Sequence, residues 1–241
     1  MSERLPPFVK FGYSCTSHDW HSQPTNLPTD EELADKFEKA LNSAKKEEDV
    51  QDFLERYPHI LPGLDTYHHG PIANVIVTKM PLGNDFITDF AFVSENSQSA
   101  QMTCIEIESP HKPIFLRNGS FSREYLNARQ QLFDWNFWAQ QNLRDAMRFF
   151  GPLRRCMPDR RNFLDLTLRC ILITGRRSHI HTRKQQERWA AENALRTASM
   201  TIMTFDRVLE RVKAGWYWPL THRLLVCSYG DREFQVKRVA V

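Results

Sequence analysis

Apolar positions recur along this chain first at helical spacing and then at strand spacing. Leu33, Phe37, Ala40, Leu41 and Ala44 share one helical face, and Thr29 with Glu32 forms a capping box at its start. Val50, Phe53, Leu54 and Tyr57 mark a second helix, separated from the first by Lys45 to Glu48 and ended by Pro58. A strand is predicted from Asn74 to Met80. Phe86 to Val93 and Met102 to Pro110 are then aromatic and β-branched runs on either side of the polar stretch Ser94 to Gln101, which predicts a hairpin. In the first run Phe86, Thr88, Phe90 and Phe92 occupy one face, and Ile87, Asp89, Ala91 and Val93 the other. Two largely apolar faces imply a central sheet covered on both sides.

Ser120 or Ser122 can cap a long helix reaching about Phe149, with Tyr125, Ala128, Leu132, Trp135 and Ala139 on one stripe. Gln131 falls on that stripe, and a polar residue on a buried helical face needs a partner. Gly151 and Pro152 stop the helix. Leu164 to Thr174 reads as a strand, Trp189 to Met200 as a helix, Ser199 to Thr204 as a short strand and Phe205 to Ala214 as a helix. Leu224 to Tyr229 and Glu233 to Val241 flank Gly230 and Asp231, a turn signal for a closing hairpin. The order predicts one α/β domain over residues 29–215, with a mixed central sheet flanked by helices. An irregular, proline-punctuated arm (1–28) precedes it and a C-terminal β-hairpin extension (216–241) follows.

With 241 residues, 41% hydrophobic and 12% aromatic, the chain can bury a substantial core. Its net charge of +3 is too small to argue for a nucleic-acid partner. The distribution is more telling: residues 1 to 110 are acid-rich, whereas Arg117 to Arg211 holds most of the arginines, an asymmetry suited to an anionic partner. The five cysteines form no CxxC pair, and Cys104 and Cys170 lie in apolar runs, as free buried thiols do in a reducing cytoplasm. No apolar run reaches the ~20 residues of a membrane span. The expected location is therefore cytoplasmic.

The hairpin carries the chemistry. If its loop is symmetric, residues whose numbers sum to 195 face each other, and Asp89 lies opposite Glu106. Cross-strand Cβ atoms are roughly 5 Å apart, where like charges are destabilising. Glu108 follows two residues later on the same face. Three carboxylates on an apolar hairpin need a cation or a proton. The bland alternative for each acid is a solvated edge charge or the partner of an arginine. Gln131 alone reads as a satisfied interface amide, and the pair His68 and His69 as a solvated loop. Arg176, Arg177, Arg183 and Lys184 follow a strand end, where a phosphate can be met.

Asp89, then Glu106-Ile-Glu108, then Gln131 and Trp135 on the following helix resemble the PD-(D/E)xK nuclease superfamily. More narrowly, four stretches resemble the Shedu family of bacterial anti-phage proteins: Val50-Gln-Asp-Phe-Leu-Glu-Arg-Tyr-Pro-His-Ile-Leu61, Thr88-Asp-Phe-Ala-Phe-Val93, Glu106-Ile-Glu-Ser-Pro110, and Leu172-Ile-Thr-Gly-Arg176 with Thr201 to Leu209. The resemblance implies a restriction-endonuclease-like fold, a DNA endonuclease acting in phage defence, and assembly as a homo-oligomer. Asp89, Glu106 and the backbone carbonyl of Ile107 would hold Mg²⁺, or Mn²⁺, and Gln131 would stand at the helical glutamine position. Mg²⁺ takes one or two carboxylates plus waters and substrate phosphate. The chain departs from the pattern at Glu108, where the family places Lys; Lys79, His111 or Lys112 could supply the positive charge from nearby loops. That departure raises an alternative, a catalytically inactive nucleic-acid-binding or sensing module. Nothing in the sequence distinguishes DNA from RNA, and a regulatory partner protein is a further possibility as trigger.

Overall fold

A computed structural model describes residues 28–64, 70–95, 99–149, 165–194, 199–220, 224–230 and 233–240. The arm up to residue 27 and the pair His68 and His69 fall outside them. Two helices come first, α1 (Asp30–Ser43) and α2 (Glu47–Arg56). Thr29 and Glu32 close the expected capping box on α1. Asp49 reaches back to accept hydrogen bonds from the amides of Lys45 and Lys46, at 2.7 and 3.2 Å, and so starts α2.

Seven strands form one mixed sheet in the order β7-β6-β5-β4-β1-β8-β9. They are β1 (Val75–Thr78), β4 (Phe90–Glu95), β5 (Ser99–Ile107), β6 (Asp165–Ile173), β7 (Met200–Met203), β8 (Leu224–Gly230) and β9 (Glu233–Ala240); β2 (Pro81–Leu82) and β3 (Phe86–Ile87) pair separately. β1, β4 and β5 run antiparallel, as expected, and β5, β6 and β7 run parallel. The segment from Leu224 joins the same sheet, because β8 lies parallel to β1 and all of Leu224 to Cys227 is buried.

Two apolar layers cover the sheet. On one side Ala91, Val93, Ala100, Met102 and Cys104 pack beneath α3 (Arg123–Phe149), through Tyr125, Ala128, Leu132, Trp135 and Ala139. Ser122 accepts the hydrogen bond of the Tyr125 amide and caps that helix. On the other side Phe90, Phe92, Ile105 and Ile107 meet α1, α2 and α5 (Phe205–Lys213). The two faces read from Phe90 to Val93 are therefore the two layers.

Three expectations need correction. The first hairpin strand is not continuous: the chain pairs Phe86 and Ile87 with β2, breaks at Thr88 and Asp89, and re-enters the main sheet at Phe90. Ile87 is consequently 58% exposed instead of facing the core beside Ala91. The polar stretch after it is mostly strand, since β4 reaches Glu95 and β5 starts at Ser99; hydrogen bonding to a neighbouring strand outweighs local polarity. The helix expected at Trp189 to Met200 is α4 (Arg183–Ala194), begun earlier by a further capping box, Thr182-x-x-Gln185. There the Gln185 side chain accepts from the amides of His181 and Thr182 at 2.8 and 2.9 Å, and the Thr182 hydroxyl accepts from the Gln185 amide at 3.2 Å.

Candidate functional site

The register of β4 on β5 is the symmetric one, from Phe90 opposite Ile105 to Glu95 opposite Ala100. Continued one residue, it places Asp89 against Glu106 at the break in the strand. On β5 the residues alternating with Glu106, namely Ala100, Met102 and Cys104, pack beneath α3, whereas Asp89 sits in the break itself. Asp89 is buried at 4% exposure. Its carboxylate accepts the Ile107 amide hydrogen at 2.8 Å and the ammonium of Lys79 in a close ion pair. Lys79 ends β1 in the left-handed region, φ +51°, a conformation costing of order 1 kcal/mol for a residue with a Cβ. The Lys79 amide donates to the Asp89 carbonyl at 3.0 Å, which holds the lysine at this turn against that cost.

Glu108 leaves the end of β5 with its amide bonded to the Ile173 carbonyl at 2.9 Å. Its carboxylate pairs with the Lys112 ammonium, which also lies 3.7 Å from Glu47 at the first turn of α2. Glu47 is the residue that the sequence did not reveal. An acidic residue there reads as ordinary compensation of the helix dipole, and only the fold brings α2 to the end of β5.

These acids feel one another. Burial, and then the charges of Asp89, Glu47 and Glu108, push Glu106 up to about 9. Burial, Asp89 and Glu108 push Glu47 up to about 7, against the lowering pull of Lys112 and Lys79. Four carboxylates against two ammonium groups leave two negative charges uncompensated. That excess equals the charge of one divalent cation; without one, protons on Glu106 and Glu47 relieve it. Among the described residues no three ligating side chains converge as a finished cage. The charge balance and the all-oxygen donor set nevertheless suit Mg²⁺ or Mn²⁺, which keep most of their waters.

Gln131 is half-buried on α3, the helix covering the same side of the sheet, and no hydrogen bond joins it to the carboxylates. Trp135 is fully buried core. The basic residues after β6 part company. Arg176 is 15% exposed, and its Nε donates to both Asp206 oxygens at 3.2 Å while one Nη donates to Asn42 at 3.0 Å. Arg177 is open, paired with Glu210 at 2.6 Å, and Arg183 pairs only with Glu187 on its own helix. Lys184 lies along Gly119.

Residues 44–209 match the family described as Shedu protein SduA, C-terminal. The chain belongs to the Shedu family. The family match takes in Glu47, Lys79, Asp89, Glu106, Glu108, Lys112 and Gln131, and stops before β8 and β9. Shedu membership suggests a role in anti-phage defence. None of the curated proteins matches the chain. As expected of their apolar runs, Cys104 and Cys170 are free and buried; Cys227 is too, and among the described residues no helix is long and apolar enough to cross a membrane.

Proposed function

We propose that this Shedu chain is a Mg²⁺-dependent nuclease, a DNA endonuclease of anti-phage defence, built on a restriction-endonuclease-like PD-(D/E)xK fold and working as a homo-oligomer. The observation that carries the proposal is the crowding of Asp89, Glu106, Glu108 and Glu47 beside two lysines, which raises the Glu106 and Glu47 carboxyls. Asp89, Glu106 and the Ile107 carbonyl are the groups that would hold Mg²⁺, with Mn²⁺ as a substitute. The bound ion would supply an activated water and offset charge on the scissile phosphate.

The remaining work falls to the chain. The Ile107 amide and Lys79 fix the Asp89 carboxylate in orientation. Lys112, held by Glu108 and Glu47, brings to the site the ammonium that the family pattern carries at position 108. It can thereby offset phosphate charge, while Glu108 is left to accept a proton from water. Gln131, on the helix above, is the remaining member of the site.

Plasmid DNA incubated with the purified chain and Mg²⁺ or Mn²⁺ should be cut, and chelation should stop it. Asp89→Asn and Glu106→Gln should each lower the rate by at least ~100-fold, the usual effect of removing a group that stabilises transition-state charge. Undiminished cleavage by either variant would sink the assignment. DNA binding by the wild-type chain without cleavage in either metal would favour the inactive binding module instead.

A further inference from the structure

The carboxylates occupy only one station along the sheet end. Because β5, β6 and β7 are parallel, their C-terminal ends open on the same side: Glu106 to Glu108 end β5, Arg176 and Arg177 follow β6, and Thr204 follows β7. Crevices outside the carboxyl ends of parallel strands are where α/β sheets take ligands. Two strands from the carboxylates, roughly 10 Å along the sheet, lies a cavity of about 390 Å³ between α4 and the start of α5. Cavities of ~300 Å³ and above accept small organic ligands.

Its walls have a specific chemistry. Trp189 rises from α4, half-buried, with its ring packed on Tyr125 at 6.1 Å between centroids, and it also lines the cavity. Two guanidinium groups, Arg177 and Arg207, stand at the wall, with Gln186 exposed on the same helix as the indole. Among the described residues no acidic side chain lines the cavity. Both arginines reach Glu210, Arg177 at 2.6 Å and Arg207 at 3.7 Å, but these pairs are more than 40% exposed on both sides. Exposed pairs contribute little, so either guanidinium can exchange Glu210 for a phosphate at small cost. Arg176, locked on Asp206, supplies the fixed frame beside them.

Apart from Trp189, which packs on the core, the helix that carries the indole is held by polar tethers. Only Gln185 of α4 is fully buried, and Arg188 on the Gly119 carbonyl and Glu192 on Arg129 anchor it. An aromatic platform, exposed cations and an amide in one nucleotide-sized space match a base with its phosphate. We propose that this cavity takes one unstacked nucleotide of the nucleic-acid substrate, with its base on Trp189 and its phosphate between Arg177 and Arg207. The identity of the strand rests on the nuclease proposal above, whereas the binding does not.

The test is binding by the full chain in EDTA, where no cleavage intervenes, read as fluorescence anisotropy of a labelled single-stranded DNA. Trp189→Leu should weaken binding by about 5- to 150-fold, the range of base–aromatic stacking, and Trp189→Phe should restore most of it. Arg207→Gln should weaken binding and reduce the salt dependence by about one phosphate contact. Thermal melting confirms that each variant is folded. Binding of folded Trp189→Leu and Arg207→Gln at wild-type strength overturns the proposal, as does a wild-type chain that binds no single strand. Competition by free deoxynucleoside monophosphates as strong as that of the oligonucleotide also overturns it, since the cavity would then serve a soluble nucleotide. Trp189-dependent binding without metal-dependent cleavage would count against the nuclease alone; cleavage with Trp189-independent binding would count against the cavity alone.

Discussion

Glu106→Gln should make the metal-free protein more stable above neutral pH, and the gain should grow with pH. The carboxyl is pushed from 4.5 to about 9 by burial and by the charges of Asp89, Glu47 and Glu108. Between those two values the folded state holds a proton that the unfolded chain has lost, so stability falls as pH rises through the window and is fully present only below about 4.5. At pH 8 the gap above the ordinary value is about 3.5 pH units at ~1.4 kcal/mol each, a ceiling on the order of 5 kcal/mol. Glutamine needs no proton, but its buried amide gives back ~1–3 kcal/mol unless it is fully hydrogen-bonded. The expected net gain at pH 8 is therefore ~2 kcal/mol, or ~4–8 °C in Tm for a domain of this size, and it turns into a net loss of about 2 kcal/mol at pH 5, where only about half a pH unit of the window remains. Thermal melts in EDTA at pH 5, 6.5 and 8 read it directly. Melting curves of variant and wild type that stay parallel across pH, or a variant less stable at pH 8, would refute the charge-cluster account.

Mn²⁺ binding should tighten steeply between pH 6.5 and 9, because the proton on the ligand Glu106, at about 9, must leave before the ion is held, and loss of the proton on the neighbouring Glu47, at about 7, adds negative charge beside it. Calorimetry in two buffers of different ionisation enthalpy would count the protons, and an affinity independent of pH would contradict the ligand set. Lys237→Ala should lower the urea-unfolding free energy by ~1–3 kcal/mol, since it strips the buried Glu55 carboxylate of its charged partner at 2.9 Å and leaves only the Gln51 amide at 3.3 Å. An unchanged urea midpoint would show that β9 is not anchored to α2 through this pair.

Local signals carried much of this fold in the sequence. The Thr29 box, the Ser122 cap and the stripe from Tyr125 to Ala139 specify their helices without distant help, and the structure keeps all of them. The hairpin register was legible because the turn is symmetric, so that residues whose numbers sum to 195 face each other. The break at Asp89 was not, because it depends on Phe86 and Ile87 finding a separate partner in Pro81 and Leu82. The same limit governs the site. Asp89 and Glu106 are neighbours on one hairpin and show in sequence, whereas Glu47 and Lys112 arrive from a helix start and a loop. Arg176 and Arg177 are adjacent and alike in the sequence, yet only the packing of α5, which presents Asp206, decides which of them is locked.

The pairing of β1 with β8 has a consequence for how the chain is made. Val75 meets Leu225, 150 residues later, and β8 is the only neighbour of β1 on that side. During synthesis β4 and β5 can pair with β1 early, but its other edge waits until β8, 150 residues further on, has emerged from the ribosome. An open edge next to Ile76 and Val77 is a template for pairing with another nascent chain. A fragment trimmed to residues 44–209 would keep every carboxylate and leave that edge permanently bare. Its tendency to aggregate would then report on the missing strands and not on the chemistry.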